Sequence, residues 1–390
     1  LLQKPDHSKQ HARENCIKPL ADRGITIYCG FLLALGAFSI DITLPFFDRI
    51  RDTLSATASQ THGVVLVYIF MLGIGQLVFG PLSDRIGRRI TIAIGLSIYA
   101  LGAIFALLAT QIEMLLVGRA LQGFGGAVAP VAARSIIRDR FSGKDLARNM
   151  ALASGIFAIG PIIAPLIGAI LVEIGGNWRV VFGAMTLLSA AMLVTLLWIP
   201  ETLREKRRDA TSPSAWLRNS RAILGHPQSR FYLILTSWAM LAILIILSGM
   251  PAVMETEFGV TGTLFAILFA IHGLGIILGQ IVNHWLIDKI GVVPSMIFSA
   301  SIMVLTFIGL SIGSFAGWMT PYLLATMFFF FAVGHLCVFA NAILAMVIMY
   351  FVGDSLLRWS MILLFISIGT LVSLLVWKNN PKYQAVATIH

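Results

Sequence analysis

Apolar stretches of about 20 residues recur along this chain from Ile25 to Trp377, and their length restricts what it can fold into. Hydrocarbon offers no water to satisfy peptide groups, so a spanning segment must be a helix or a strand of a closed barrel. Barrel strands are about ten residues long and alternate polar with apolar; these runs are longer and do not alternate. The reading is an all-α polytopic membrane protein. Composition agrees: 58% of residues are hydrophobic and only 12% charged, where a soluble domain carries about 25%. Mean hydropathy is +0.88.

The legible spans are approximately 25–47, 61–83, 91–109, 114–136, 147–173 and 180–199, then 229–252, 261–286, 293–312, 318–345 and 355–377. They divide the chain into a polar tail (1–24), a first helix bundle (25–200), a basic linker (201–228), a second bundle (229–377) and a short basic tail (378–390). The two bundles are related. Gly75-Gln-Leu-Val-Phe-Gly-Pro-Leu-Ser-Asp-Arg-Ile-Gly87 reappears 204 residues later as Gly279-Gln-Ile-Val-Asn-His-Trp-Leu-Ile-Asp-Lys-Ile-Gly291, with seven of thirteen positions identical. Parallel repeats of this kind build several transporter folds.

Charge sets the expected orientation. The net charge is +10, but the basic residues lie in alternate short connections, which is the pattern of cytoplasmic loops rather than of a nucleic-acid surface. Arg85, Arg88 and Arg89 fill the second connection, Arg138, Arg140, Lys144 and Arg148 the fourth, and Arg204, Lys206, Arg207 and Arg208 the linker. Lysines precede the first span and follow the last, so both termini are expected in the cytoplasm, with the protein multi-pass in an inner membrane. Eleven spans would put the termini on opposite sides. The repeat offset locates the shortfall: about one span is absent after residue 318, and a junction is expected near Met346 to Phe351. A natural eleven-span chain is the alternative. Cys16, Cys29 and Cys337 show no metal or redox spacing. The first 24 residues lack the apolar core of a signal peptide.

Gly80-Pro-Leu-Ser-Asp-Arg-Ile-Gly-Arg-Arg89 resembles the signature between spans two and three of the major facilitator superfamily. Ser39-Ile-Asp-Ile-Thr-Leu-Pro45, Gly118-Arg-Ala-Leu-Gln-Gly123 with Arg138-Asp139, and Gly160-Pro-Ile-Ile-Ala-Pro165 with Trp178-Arg179 narrow the resemblance to its drug:proton antiporter branch, which includes bicyclomycin- and chloramphenicol-resistance proteins. The resemblance implies twelve spans in two six-helix bundles, a central cavity, alternating access and conformational switching at the second connection. Span five departs from the fuller antiporter signature, having Ala164-Pro165 where a glycine pair is often found.

The residues suggest where the chemistry lies. Asp41 is a carboxylate within a span, which is costly and functional by default. Burial favours its protonated form and a nearby cation its charged form, so it can couple to protons. Asp41 lies roughly 24 Å from the basic end of its span and Arg119 about 8 Å from the other end of its own, at about 1.5 Å per residue. In a core about 30 Å thick these depths coincide, so Arg119 is the expected neighbour. A structural ion pair is the bland alternative. Pro45 removes the amide that would bond the Asp41 carbonyl. Pro45, Gln122, Gly160, Pro161 and Pro165 are assigned to cavity or gating; prolines and glycines bend and pack membrane helices, and for span five ordinary packing explains them equally well. Gly80, Asp84, Arg85, Gly87, Arg88 and Arg89, with Asp288 in the repeat, form the expected conformational latch, in which Asp84 caps the N-terminus of a helix such as span eleven. A plain basic anchor is the alternative.

Arg134, near the basic surface, needs no more than snorkelling or a bond to Asp84. His272, His284, His335 and Asn341 are more readily packing residues than a relay. The 25 Phe and 15 Met suit an adaptable apolar cavity, and lipid contact as well. No Walker loop, metal-binding His-Glu pair or Gly-x-Ser-x-Gly elbow appears, so neither a cofactor nor a metal is called for and the chain is not expected to be an enzyme. The reading is a monomeric, proton-coupled exporter of small apolar or amphipathic molecules, with protons, substrate and lipid as its partners. An exporter of an endogenous siderophore or sugar and an uncoupled uniporter are the alternatives. A membrane-embedded enzyme or receptor is the less favoured class.

Overall fold

The computed structural model describes residues 20–212, 214, 217, 218, 221, 227–290 and 292–334. Within the second half, the side chains at 227–240, 280, 283–284, 287–288, 292–293, 295–296 and 334 lie outside that description. Residues 1–19 of the first tail, linker residues 213, 215, 216, 219, 220 and 222–226, the junction expected near 346–351, the span expected at 355–377 and the last tail also lie outside it, as do His335 and Asn341.

Twelve helices follow in order among the described residues: α1 (Asp22–Asp41), α2 (Phe47–Leu54), α3 (Ala58–Ile86), α4 (Arg88–Leu107), α5 (Ile112–Gly126), α6 (Val128–Arg140), α7 (Gly143–Gly175), α8 (Arg179–Thr195), α9 (Pro227–Phe258), α10 (Gly262–Ile290), α11 (Val292–Phe315) and α12 (Pro321–Gly334). No strand occurs among the described residues. Nine helical segments there are long and apolar enough to cross a membrane. The spans expected as continuous over 25–47 and 114–136 are each interrupted. The first stops at Asp41 and resumes as α2 after a 3-10 turn, Leu44–Phe46, because Pro45 has no amide for the ladder. The second steps at Ala127, after the glycine-rich Gly123-Phe-Gly-Gly126, and continues as α6.

Local sequence fixes both ends of α3. Thr57 and Gln60 form a reciprocal capping box that starts α3 before the first apolar residue. At the other end of α3, Gly87 adopts φ +112, a conformation that side chains resist.

In the first half, α1 packs on α7, α3 on α5, and α4 on both α5 and α8; in the second, α10 packs on α12 and α11 on α12. Across the halves, α10 packs on α7 and α9 on α3. Glycines permit the closest approaches, as in membrane helices generally. Gly75 lies against Phe124 and Ala127 of the span-four helices; its repeat mate Gly279 lies against Ala332 and Val333 of α12, one position from where an offset of 204 carries Ala127. The repeat inferred from sequence is therefore also a repeat of packing.

The tightest of these approaches is at Gly123, where an added Cβ would lie 2.1 Å from the Tyr68 carbonyl oxygen. Both sides of that contact are helix backbone, which cannot yield cheaply. Gly123→Ala is expected to lower stability by about 1–3 kcal/mol, read as a lower thermal unfolding midpoint in detergent. Gly73→Ala, a position where an added Cβ meets nothing within 4 Å, is expected to leave it unchanged.

Candidate functional site

The first half buries a polar cluster where apolar side chains would be the default. Asp41 closes α1 and is 3% exposed. Among the described residues its carboxylate makes no hydrogen bond and no ion pair. Two residues earlier, Ser39 donates to the Leu35 carbonyl at 2.6 Å and shares a hydrogen bond with the Tyr99 hydroxyl. Tyr68 on α3 lies within electrostatic reach of both Asp41 and Arg119, and its hydroxyl approaches the Gly36 carbonyl at 3.4 Å.

Arg119, on α5, is fully buried. Its guanidinium lies 4.3 Å from the centre of the Tyr68 ring, a favourable cation–π distance. Nε donates to the Val64 carbonyl at 2.9 Å and Nη1 to Gln122 Oε1 at 3.1 Å. Gln122 Nε2 in turn rests on the Met185 sulfur at 3.3 Å. The second terminal nitrogen, Nη2, has no partner among the described residues.

The expected Asp41–Arg119 pair is therefore not formed in this conformation. The two depths were estimated from rise per residue, which says nothing of rotation about the helix axis. α5 turns Arg119 toward Val64 and Tyr68 of α3, and the Tyr68 ring covers the guanidinium. Tyr68 and Tyr99 are members of this cluster that sequence reasoning missed; a phenol in an apolar run is an ordinary membrane residue and gave no signal.

Gly160, Pro161 and Pro165 are buried in α7, which runs as one helix through both prolines. α10 meets it there: an added Cβ on Gly273 would lie 2.6 Å from Ile162 and 3.2 Å from the Pro161 carbonyl carbon. Pro161 therefore sits at the contact between the halves, while a Cβ added at Gly160 would lie nearest to Ala37 of α1. Pro45 also reaches that seam, lining a water-sized gap of about 10 Å³ with Asp48, Pro251 and Glu255.

At the basic end, Arg88 joins α3, α4 and α6. It bonds Asp84 at 2.6 Å, Ser83 at 2.9 Å and Asp139 at 3.0 Å. A carboxylate does cap a helix here, but it is Glu201 and the helix is α4. Glu201 accepts from the backbone N–H of Arg88 and Arg89 at 3.0 and 3.1 Å, and from Thr202 and Leu203. Its Oε2 occupies the space that a Cβ on Gly87 would need. Asp84 instead pairs with Arg88, while its carbonyl accepts from the Arg207 backbone at 2.9 Å. Arg85 reaches Thr211 at 2.6 Å, so the linker is strapped to the α3–α4 turn at three points. The side chain of Asp288 lies outside the described residues. A cavity of about 570 Å³ opens beside this network, lined by Gly80, Asp84, Arg88, Arg134, Arg138 and Asp139 among others.

At the opposite end the halves are bonded to each other. Arg51 on α2 makes a two-pronged pair with Glu255 on α9. Thr263 donates to Glu173, and His62 Nδ1 contacts the Ser248 carbonyl. Sequence reading passed over Arg51 and Glu255, although their separation of 204 is the repeat offset itself.

Residues 27–350 match the Major Facilitator Superfamily. An uncharacterized MFS-type transporter, YdgK of Bacillus subtilis, is 32% identical over 289 residues, 72% of each chain. Multidrug resistance protein D of Escherichia coli is 28% identical over 61% of this chain and 59% of its own. A bicyclomycin resistance protein homolog of Haemophilus influenzae is 28% identical over 67% and 66% respectively. The matched stretch thus spans 59–72% of these relatives' own lengths. They bear out the resemblance carried by the first-half motifs. Among solved structures, a D-xylose-proton symporter aligns with TM-score 0.64 over 90% of this chain and 88% of its own, at 15% identity, a likeness of fold alone. The chain belongs to the Major Facilitator Superfamily, as a multi-pass membrane transporter of small molecules and not an enzyme.

Proposed function

We propose that this transporter is a proton-coupled antiporter that exports small apolar or amphipathic molecules by alternating access. It would act as a monomer in a bacterial inner membrane, with the basic end cytoplasmic. The observation that carries this reading is the unpaired Asp41 carboxylate, buried beside Tyr68, while a buried Arg119 nearby keeps one donor unused. A lone carboxylate in this position is stabilised by taking up a proton, by a cationic group on a substrate, or by a turn of Arg119 toward it. These options exclude one another, so proton and substrate compete and each biases the equilibrium between the two openings by its differential affinity. The relatives named for multidrug and bicyclomycin resistance support drug-like cargo. The basic connections at one end support the orientation.

In this scheme the polar groups around Asp41 have distinct tasks. Gln122 and the Val64 carbonyl hold Arg119 in place through two of its nitrogens. Tyr68 stands between the two charges and shields the cation by its ring face. Asp41, at the end of a helix interrupted by Pro45, has a carbonyl freed from the regular ladder, so its backbone can shift without breaking α1.

Efflux of an amphipathic fluorescent cation from proteoliposomes under an imposed pH gradient tests the proposal. The gradient is expected to drive efflux by the wild type, and Asp41→Asn to lose roughly 5- to 150-fold of that acceleration while still binding the dye. Wild-type efflux indifferent to the gradient would rule out antiport and leave a uniporter. A second test concerns the unused donor of Arg119. If Asp41 and Arg119 act on one another, their losses do not multiply. The Asp41→Asn/Arg119→Gln double variant should then be no slower than the slower single variant, a coupling of about 0.5–3 kcal/mol. Multiplying losses would separate the two residues.

A further inference from the structure

We propose that Arg51 and Glu255 form an axial plug whose separation opens the end of the transporter opposite the basic connections. The two residues are 204 positions apart and in direct contact, and 204 is also the offset that relates the halves. Two points exchanged by a twofold rotation have their midpoint on the rotation axis. Equivalent residues that touch therefore touch at the axis. In transporters built from two parallel repeats that axis runs along the membrane normal, and the transport site lies where the repeats meet. A contact on it at one end stands in the middle of the mouth. Contacts elsewhere along the seam flank it: Thr263–Glu173 joins α10 to α7, and His62–Ser248 joins α3 to α9.

The chemistry suits a plug that both holds and releases. Arg51 engages both carboxylate oxygens of Glu255, the geometry in which an arginine–carboxylate pair is strongest. Neither side chain is fully withdrawn from solvent, with 31% of Arg51 and 19% of Glu255 exposed, so water can take over both partners when they part. Two further carboxylates lie beside Arg51. Asp52 is at 3.7 Å, and Asp48 is close enough to act on it electrostatically. One Asp48 oxygen is buried without a hydrogen-bond partner among the described residues, and Asp48 is among the residues lining the small gap beside the plug. Separation of Arg51 and Glu255 would widen that gap and bring this oxygen into contact with water, so the closed end contains a group that gains from opening. The plug acts on the opening itself and holds whichever gradient drives transport.

The test reads the opening rather than transport. In full-length chain with Cys16, Cys29 and Cys337 replaced by serine, one reporter cysteine is placed at Val260, buried in the seam behind the plug. A second protein carries its reporter at Val131, in the cavity of the basic end. Both are reconstituted in nanodiscs and labelled with a water-soluble maleimide. In Arg51→Gln and in Glu255→Gln, labelling at Val260→Cys is expected to rise roughly tenfold and labelling at Val131→Cys to fall. The exchanged pair, Arg51→Glu with Glu255→Arg, is expected to return both rates toward those of the parent. Unchanged labelling at Val260→Cys in the single variants overturns the plug. A rise at both reporters overturns it as well, because that is general loosening. So does an exchanged pair that labels like the single variants.

Discussion

Hydrocarbon does not solvate charge, and this single constraint sorts the ionised side chains of the transporter into two groups. Those near the ends of the spans find opposite charges: Arg88 has Asp84 and Asp139, Arg140 has Asp22, and Arg51 has Glu255. Asp41 and Arg119 do not. They are buried in the same half, each within electrostatic reach of Tyr68, and among the described residues neither is neutralised by an opposite charge. A fold that had only to be stable would have paired them or replaced them with apolar residues, since a satisfied apolar core is at least as stable as a buried ion pair. Their separation is what the proposed coupling role requires of them.

The two ends of the molecule are closed by different kinds of contact. At the basic end, the bonds that Arg88, Glu201 and the linker make among the described residues lie within the first half and the connection that leaves it, and a cavity opens beside them. At the opposite end, the bonds of Arg51, Thr263 and His62 run from one half to the other. Among the described residues, the bonds between the halves thus lie at one end, and the large cavity, lined by first-half residues, lies at the other.

What the sequence made legible was local or periodic. Span length follows from runs of apolar residues, the internal repeat from a fixed offset, and the weight on Asp41 from its place in an apolar run. What it left hidden was relational. A depth for Arg119 follows from its place in its span, but its partner depends on the rotation of α5 against α3, and no periodicity in a helix that is apolar all round records that angle. Glu201 follows the last apolar residue of its span and looks like any loop carboxylate; only the fold brings it over Gly87. The tilt of the halves that sets Arg51 on Glu255 was equally invisible, although the spacing of 204 could have nominated the pair. The N-terminus capped at this turn belongs to α4, and the carboxylate that caps it is Glu201; the span-eleven N-terminus expected for Asp84 lies outside the described residues.

The Glu201 contacts also limit how this transporter can move. A carboxylate that accepts four backbone N–H groups ties the exit of α8 to the start of α4, and the φ of +112 at Gly87 lets the chain turn tightly enough for it. Arg88 extends the same network to α3 and α6. Any rearrangement inside this turn would leave several of those groups unmet at once, at about 1–3 kcal/mol for each buried one. The first half is therefore expected to move as one body at its basic end. Freedom has to come from surfaces that lack such ties, and the contact of Gly273 with Pro161 and Ile162 is one, made of close packing without a hydrogen bond between side chains. Small residues let α10 and α7 approach closely there, so that once the Thr263–Glu173 bond parts they can slide or rock at this point without further unmet polar groups. The linker, bonded to the α3–α4 turn through Arg207 and Thr211, then carries the position of the first half directly to the chain that enters the second.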